Sequence, residues 1–267
     1  MKKKLVNKNI NKNRVKINFS RHAKFYDEYS SIQNICAKEL ISKIKDKGIN
    51  RILDIGCGTG NYTQMLRQKF PKANIEALDI SKKMIEKAKE KLKNENIKFI
   101  IDDAETANIN KRFDLISSNA SFQWFDNLEN TLKKYANLLN ENGVVLFSFF
   151  GPQTFYELKE SLNIFSKKNV LLSANEFETK GTIEIILNSL FKKVEIKEEI
   201  YSEKYISLME LLKKIKYTGT SGNGYKGDNF WTSKMIKDVE KVYLNNFKNI
   251  ISNYQVFFCQ GIKRISF

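Results

Sequence analysis

The segment Asp54-Ile55-Gly56-Cys57-Gly58-Thr59-Gly60 carries the densest chemical signal in the chain. A short apolar run, Arg51–Ile55, leads into it, and an amphipathic stretch, Asn61–Phe70, leaves it. Glycine adopts positive φ and lets backbone come close to a ligand. The start of the following helix adds N–H groups that have no partner inside the helix. Two acidic stations follow in chain order. Asp79 ends the next apolar run, where a carboxylate can accept both hydroxyls of a ribose. Asp102-Asp103-Ala104-Glu105 ends the run after that, where an adenine edge would lie. In open α/β sheets ligands bind beyond the carboxyl ends of the strands, and all three stations fall there. A tight strand–helix turn without a ligand would need the glycines but neither acid.

These stations need strands that end side by side and helices that return the chain. Ser31–Lys45 has Ile32, Ile35, Cys36, Leu40, Ile41 and Ile44 at helical spacing, and Gly48 closes it. Strands are expected at Arg51–Ile55, Asn74–Ile80, Lys98–Ile101, Phe113–Ser117 and Gly143–Phe150. Helices are expected at Asn61–Phe70, at Asp126–Leu139, and after Ser81, whose hydroxyl can cap a helix bearing Met84, Ile85, Ala88 and Leu92. Gly143–Phe150 is almost continuously apolar, as a strand covered on both faces would be. The alternation predicts an α/β, Rossmann-like, doubly wound, mostly parallel seven-stranded sheet. After Gly151-Pro152 the pattern changes. Helices are expected at Phe155–Phe165, Glu176–Leu190, Leu208–Ile215 and Ser233–Phe247, strands at Val194–Ile206 and Tyr254–Ile262, and a loop at Thr218–Asn229. Residues 1–18 read as a basic tail and 19–267 as a single domain, with a helical lid or substrate-recognition insertion after the fifth strand, about 152–250.

Composition limits what such a domain can be. With 42% hydrophobic residues the chain is too apolar to be disordered, and 267 residues suit one large domain. Cys36, Cys57 and Cys259 are odd in number and widely spaced, so neither a disulfide framework nor a metal site is expected, and free thiols fit a reducing cytoplasm. Met1-Lys2-Lys3-Lys4 leads into no apolar segment, so no signal peptide is expected. The longest uncharged stretch, between Glu141 and Glu157, is broken by Asn142, Pro152 and Gln153 and is shorter than the ~20 apolar residues of a membrane span. The 46 Lys and Arg against 30 Asp and Glu leave a net charge of +16. The lysines are scattered along helix faces without interleaved aromatics, so nucleic acid is an unlikely partner, while an acidic protein would be attracted.

The acid–x–Gly–x–Gly–x–Gly spacing resembles the class I S-adenosylmethionine-dependent methyltransferases. The G-x-G-x-x-G of dinucleotide dehydrogenases is the competing pattern. The resemblance implies S-adenosyl-L-methionine as cofactor. It places Asp54 at the methionine end and Gly56, Gly58 and Gly60 along the loop. Asp79 would hold the ribose with Ile80 beside it, Asp103 and Ala104 would lie at the adenine, and Asn119 near the sulfonium. Cys57 reads as a small filler.

Several flanking segments narrow the family. Phe19-Ser20-Arg21, Tyr26-Asp27 and Ile32-Gln33 are similar to the N-terminal segment of the biotin-pathway malonyl-acyl-carrier-protein O-methyltransferases. So are Ser118-Asn119-Ala120-Ser121-Phe122-Gln123-Trp124, the stretch Phe149–Leu158, and Leu211-Leu212-Lys213-Lys214-Ile215-Lys216-Tyr217-Thr218-Gly219. Lys213 and Thr220 depart from the Arg and Ala often found there. This resemblance implies methyl transfer to the free carboxylate of a malonyl thioester on acyl-carrier protein, the ester that primes biotin synthesis. Arg21, Tyr26, Gln123, Trp124 and Lys216 would hold the substrate. A carboxylate is already a nucleophile at neutral pH, so no catalytic base is required, and His22 reads as a surface or lid residue. The acidic carrier would meet a basic rim, with Lys213, Lys214 and Lys216 the first candidates. The alternatives are a methyltransferase of a free carboxylate or quinone precursor, and a non-catalytic nucleic-acid-binding domain.

Overall fold

Each apolar run of the first half is followed by a helix that carries the chain back across the sheet, so consecutive strands lie parallel. The computed structural model of the chain describes residues 10–45, 48–219 and 231–263. Its parallel half comprises β1 (Arg51–Ile55), β2 (Asn74–Asp79), β3 (Ile97–Ile101), β4 (Phe113–Asn119) and β5 (Leu139–Phe150). The connecting helices are α4 (Asn61–Lys69), α5 (Lys82–Lys91) and α6 (Leu128–Asn137). Ahead of them lie α1 (Lys12–His22), α2 (Tyr26–Tyr29) and α3 (Ser31–Lys43). The second half adds α7 (Tyr156–Ser166), α8 (Lys180–Leu190), β6 (Phe191–Tyr205), α9 (Leu208–Tyr217), α10 (Ser233–Phe247) and β7 (Ile250–Lys263).

The strands form one seven-stranded sheet in the order β3-β2-β1-β4-β5-β7-β6. β7 pairs antiparallel with both β5 and β6, and the other pairings are parallel. Side chains alternate across each strand, so a fully covered strand feeds two layers. On β1, Ile52 joins a core with α3 and α4, while Leu53 and Ile55 join one with α6 and α8. On β7, Val256 and Phe258 take the first side, and Phe257 and Cys259 the second. All three cysteines are buried and free.

The expected elements are present, with shifted boundaries that have local causes. The helix expected from Asp126 begins at Leu128, because the Asn127 side chain accepts the Asn130 N–H at 3.0 Å. Of Glu176–Leu190 only Lys180–Leu190 is α-helix. Thr179 caps it, and a single 3-10 turn covers Ser173–Glu176. Residues 1–18 were expected as a tail, yet α1 starts at Lys12. Asn11 caps it by accepting the Arg14 N–H at 2.9 Å, and Val15 and Phe19 pack on the core. The segment 152–250 is not one insertion, since β6 within it belongs to the main sheet. Most of the expected loop Thr218–Asn229 lies outside the described residues.

Candidate active site

Strand order reverses between β1 and β4, and the chains leaving these two strands meet. A crevice forms at such a point, beyond the strand ends. Gly56 lies so near the loop after β4 that an added Cβ would stand 2.1 Å from Ser121 Oγ. Gly58 has φ +54, and its Cβ would meet nothing within 4 Å, so a side chain there would occupy the crevice itself. Gly60 opens α4 against α5, where a Cβ would sit 3.1 Å from Ala88 Cβ.

Asp54 is fully buried. Its Oδ2 accepts from Thr63 Oγ1 at 2.6 Å, and its Oδ1 has no partner among the described residues. Burial pushes its carboxyl up to about 7, with the Asp79 charge adding and the Thr63 bond opposing. Asp79 accepts the Gly58 N–H on Oδ2 at 2.9 Å and the Ser81 N–H on Oδ1 at 2.7 Å. Burial lifts it to about 6 against both bonds. Each oxygen keeps a free lone pair, because a carboxylate offers about four acceptor sites. Asp103 carries the third station: Oδ1 accepts the Glu105 N–H at 2.9 Å, and Oδ2 pairs with Lys12 at 2.6 Å.

A pocket of about 690 Å³, its mouth included, joins these stations. That is the size of a small-molecule site, roughly 300–1,000 Å³. Gly56, Gly58, Asp79, Asp103 and Asn119 line one side, with apolar Leu78, Ile80, Met84 and Ala104. Lys12, Val15 and Phe19 of α1, Tyr26 of α2 and Trp124 close the other. Phe19 lies 6.2 Å from the Tyr26 ring and 6.0 Å from Trp124. Lys12 fastens α1 by pairing with Asp103 and with Glu105 at 2.5 Å. Asp27 fastens α2, accepting from Thr59 and from Asn61 at 3.1 Å and pairing with Lys91 at 2.7 Å. Asn119 is fixed by donating to Gln33 O at 2.9 Å and accepting from Ser148 Oγ at 2.8 Å. Trp124 Nε1 is a buried donor without a partner among the described residues.

Residues 52–143 match the family described as "Methyltransferase domain". A malonyl-[acyl-carrier protein] O-methyltransferase of Ilyobacter polytropus is 38% identical over 91% of this chain and 91% of its own length. Another, of Acetivibrio thermocellus, is 32% identical over 96% of each. The chain belongs to the malonyl-[acyl-carrier protein] O-methyltransferase family. The fold extends to more distant proteins. The YcgJ protein of Bacillus subtilis is 16% identical, with a TM-score of 0.62 over 87% of this chain and 99% of that one. A phosphoethanolamine N-methyltransferase of Haemonchus contortus superposes with a TM-score of 0.58 at 16% identity, over 92% of this chain and 58% of its own.

Most of the residues expected from the family resemblance meet at one pocket. Gly56, Gly58, Asp79, Ile80, Asp103, Ala104, Asn119, Tyr26 and Trp124 all line it. Asp54 and Gly60 stand behind the lining and shape the loop. Gln123 is buried, with its amide donating to Ala120 O at 2.7 Å, and it supports the turn rather than lining the pocket. Arg21 and Lys216 are exposed and lie outside the pocket lining. Lys214 is not on the rim: it is 5% exposed and bonded to Glu203 and Ser31. His22 is buried edge-on against Tyr217 at 5.3 Å. Cys57 is buried and burial holds its thiol well above the ordinary range, as a filler requires. Sequence reasoning missed Lys12, because nothing local ties it to Asp103. It also missed Ser121, whose nearness to Gly56 depends on strand order. Gly219, the last residue of the family-like segment on α9, packs against α1: a Cβ there would fall 2.6 Å from the Phe19 ring. Among the described residues no cluster of three His, Cys, Asp or Glu could hold a metal, and no helix is long and apolar enough to cross a membrane.

Proposed function

We propose that this chain transfers a methyl group from S-adenosyl-L-methionine to the free carboxylate of a malonyl thioester carried on acyl-carrier protein. The product is the malonyl methyl ester that primes biotin synthesis. The observation that carries the site assignment is the single pocket whose lining joins Gly56 and Gly58 of the loop, Asp79 and Asp103 to Tyr26 and Trp124. Asp54 Oδ1 and Trp124 Nε1 are buried polar atoms without a partner among the described residues.

The residues present fit the cofactor. Open space at Gly58 admits it, the free lone pairs of Asp79 suit ribose hydroxyls, and Asp54 suits an ammonium group. Ile80 and Ala104 offer apolar contact to adenine beside Asp103. When bound, the cofactor supplies an electrophilic methyl on a sulfonium. Everything else falls to positioning. The attacking carboxylate must lie in line with the bond that breaks, at about 3–3.5 Å. Trp124 N–H and Tyr26 O–H are the donors available to orient it. Burial, with Asp27 and Asp79 nearby, raises the Tyr26 phenol and keeps it protonated. Neutral donors orient an anion without the strong pairing that would quench its nucleophilicity. Among the described residues the lining contains one cation, Lys12, and it is already paired with Asp103 and Glu105. The rings of Phe19, Tyr26 and Trp124 exclude water, which strengthens the remaining electrostatics. His22 lies outside the lining.

The test is methyl transfer from labelled S-adenosylmethionine, comparing malonyl-carrier protein, malonyl-coenzyme A and free malonate. Base-labile label on the carrier is expected. Equal transfer to free malonate would assign the chain to small-molecule methylation instead.

A further inference from the structure

Arg21 and Lys24 lie nearly 200 residues before Lys216 in the chain, yet the structure gathers all three around one pair of rings. Phe25 packs on Tyr217 at 5.2 Å between centroids. Lys24 Nζ lies 5.7 Å from the Phe25 ring, and Lys216 Nζ lies 5.6 Å from the Tyr217 ring. Beneath them His22 meets Tyr217 edge-on. Its imidazole is held below the ordinary range by burial first, then by the charges of Lys216 and Arg21. Arg21, Lys24 and Lys216 are exposed, as is Phe25 at 40%. None of the three cations forms an ion pair with another described residue. Tyr29 also packs on Tyr217, at 4.8 Å between centroids, and the charges of Glu28 and Glu210 act on Tyr29.

The position of this cluster matters as much as its charge. Its Arg21, Lys24 and Phe25 lie in the chain between Phe19 and Tyr26, both of which line the pocket. In space α9 brings Gly219 directly against Phe19. Aromatic residues ringed by cations are the composition of a protein-docking patch, whereas scattered surface lysines are not. We propose that Arg21, Lys24 and Lys216, around Phe25 and Tyr217, form the docking site for the acidic carrier protein. The site is thus composite, built by the α1–α2 segment and α9 together. This rests on the carrier-bound substrate proposed above. Docking there sets the carrier beside α1 and α2, so its thioester arm enters past Phe19 and Tyr26. Glu28 and Glu210, near Tyr29, disfavour orientations that bring the carrier's acidic face onto them. Exposed charges of this kind act mainly on association rate and salt dependence.

The test measures binding of unloaded carrier protein first, by fluorescence anisotropy at low and high salt. Arg21→Glu/Lys24→Glu/Lys216→Glu should weaken binding more than tenfold at low salt, with the loss shrinking as salt rises. A control reversal at the other end of the sheet, Lys72→Glu/Lys192→Glu/Lys193→Glu, should cost less than threefold. Equal losses in the two variants, or no loss in the first, would overturn the docking site. Turnover is measured separately with malonyl-carrier protein and with malonyl-pantetheine, whose arm is uncharged. The first variant should lose carrier turnover and keep pantetheine turnover. Carrier binding by the wild type without methyl transfer would sink the reaction assignment while leaving the docking site standing.

Discussion

The floor of the pocket is made of near neighbours in the chain, and its roof of distant ones. On the floor, Asp79 is held by Gly58 and Ser81, and Asp54 by Thr63. On the roof, Lys12 reaches Asp103, Phe19 lies against Gly219, and Ser31 meets Lys214. The floor therefore exists once β1, α4 and β2 are in place. The roof exists only when the first and last thirds of the chain have both docked. Its fastening on the α9 side is a buried polar cluster. Lys214 pairs with Glu203 above the rings of Tyr205 and Tyr254, whose hydroxyls share a 2.7 Å hydrogen bond. Floor groups point toward ligand affinity, and roof groups toward stability and closure.

The sharpest way to break that division is Lys214→Met. Removing one partner of a buried ion pair costs about 3 kcal/mol. Chemical denaturation should show that loss, while cofactor affinity of the folded protein stays within threefold. A large affinity loss would mean that roof and floor are one unit. Asp79→Ala should do the reverse. Losing charged hydrogen bonds to the ribose costs roughly 2.7 kcal/mol, about a hundredfold in cofactor Kd by calorimetry. The melting temperature should fall only by what the lost Gly58 and Ser81 N–H bonds supplied, and an affinity of the folded protein that stays within threefold would refute the ribose role.

A smaller effect probes the Phe19–Gly219 contact. Gly219→Ala places a Cβ 2.6 Å from the Phe19 ring. Turnover should fall about tenfold, the scale of a 1.4 kcal/mol steric penalty. In the Phe19→Ala background the same substitution should cost much less, a non-additivity expected of residues in contact. Additive losses would show that Gly219 serves only to end α9.

The mildest test is pH. Asp54 and Asp79 have folded-state values raised to about 7 and about 6. The unliganded fold thus binds protons more tightly than the unfolded chain. Their contribution to stability is present at low pH and declines from about pH 4 up to pH 7. A bound cation favours the ionised acid. Cofactor affinity should therefore rise several-fold with pH across about 5 to 7, with proton release seen as buffer-dependent binding enthalpy. Asp54→Asn should flatten the rise. An unchanged slope would remove Asp54 from the cofactor site.

The same contrast explains what the sequence disclosed. The strand before Gly56, Asp79 at the end of the next one and the helix caps are short-range patterns, and they were legible. So was the class of sheet. Lys214 was misread because Lys213-Lys214-Ile215-Lys216 looks uniformly solvated, and only the packing of α9 on β6 and α3 buries one lysine of the three. Arg21 and Lys216 were drawn into the pocket by their charge, but α1 presents Val15 and Phe19 to it instead. The two strands of the second half were read short. β6 alternates charged residues along an open edge, and β7 carries Ser252 and Asn253 just after its first two residues, so their polarity masks the start of a strand paired on both sides.

β7 also sets the order in which the sheet can be completed during synthesis. It is the last of the described elements to leave the ribosome, yet it sits between β5 and β6. Until it arrives, β6 has no partner strand and β5 has one unpaired side. Both are long, and β5 is largely apolar. Exposed strand edges template association with other chains. Each nascent molecule thus passes through an interval in which it carries two such edges, and the arrival of one C-terminal strand closes both at once. Translation speed over residues 206–263, and whatever shelters the chain meanwhile, will govern how much of it reaches the folded state.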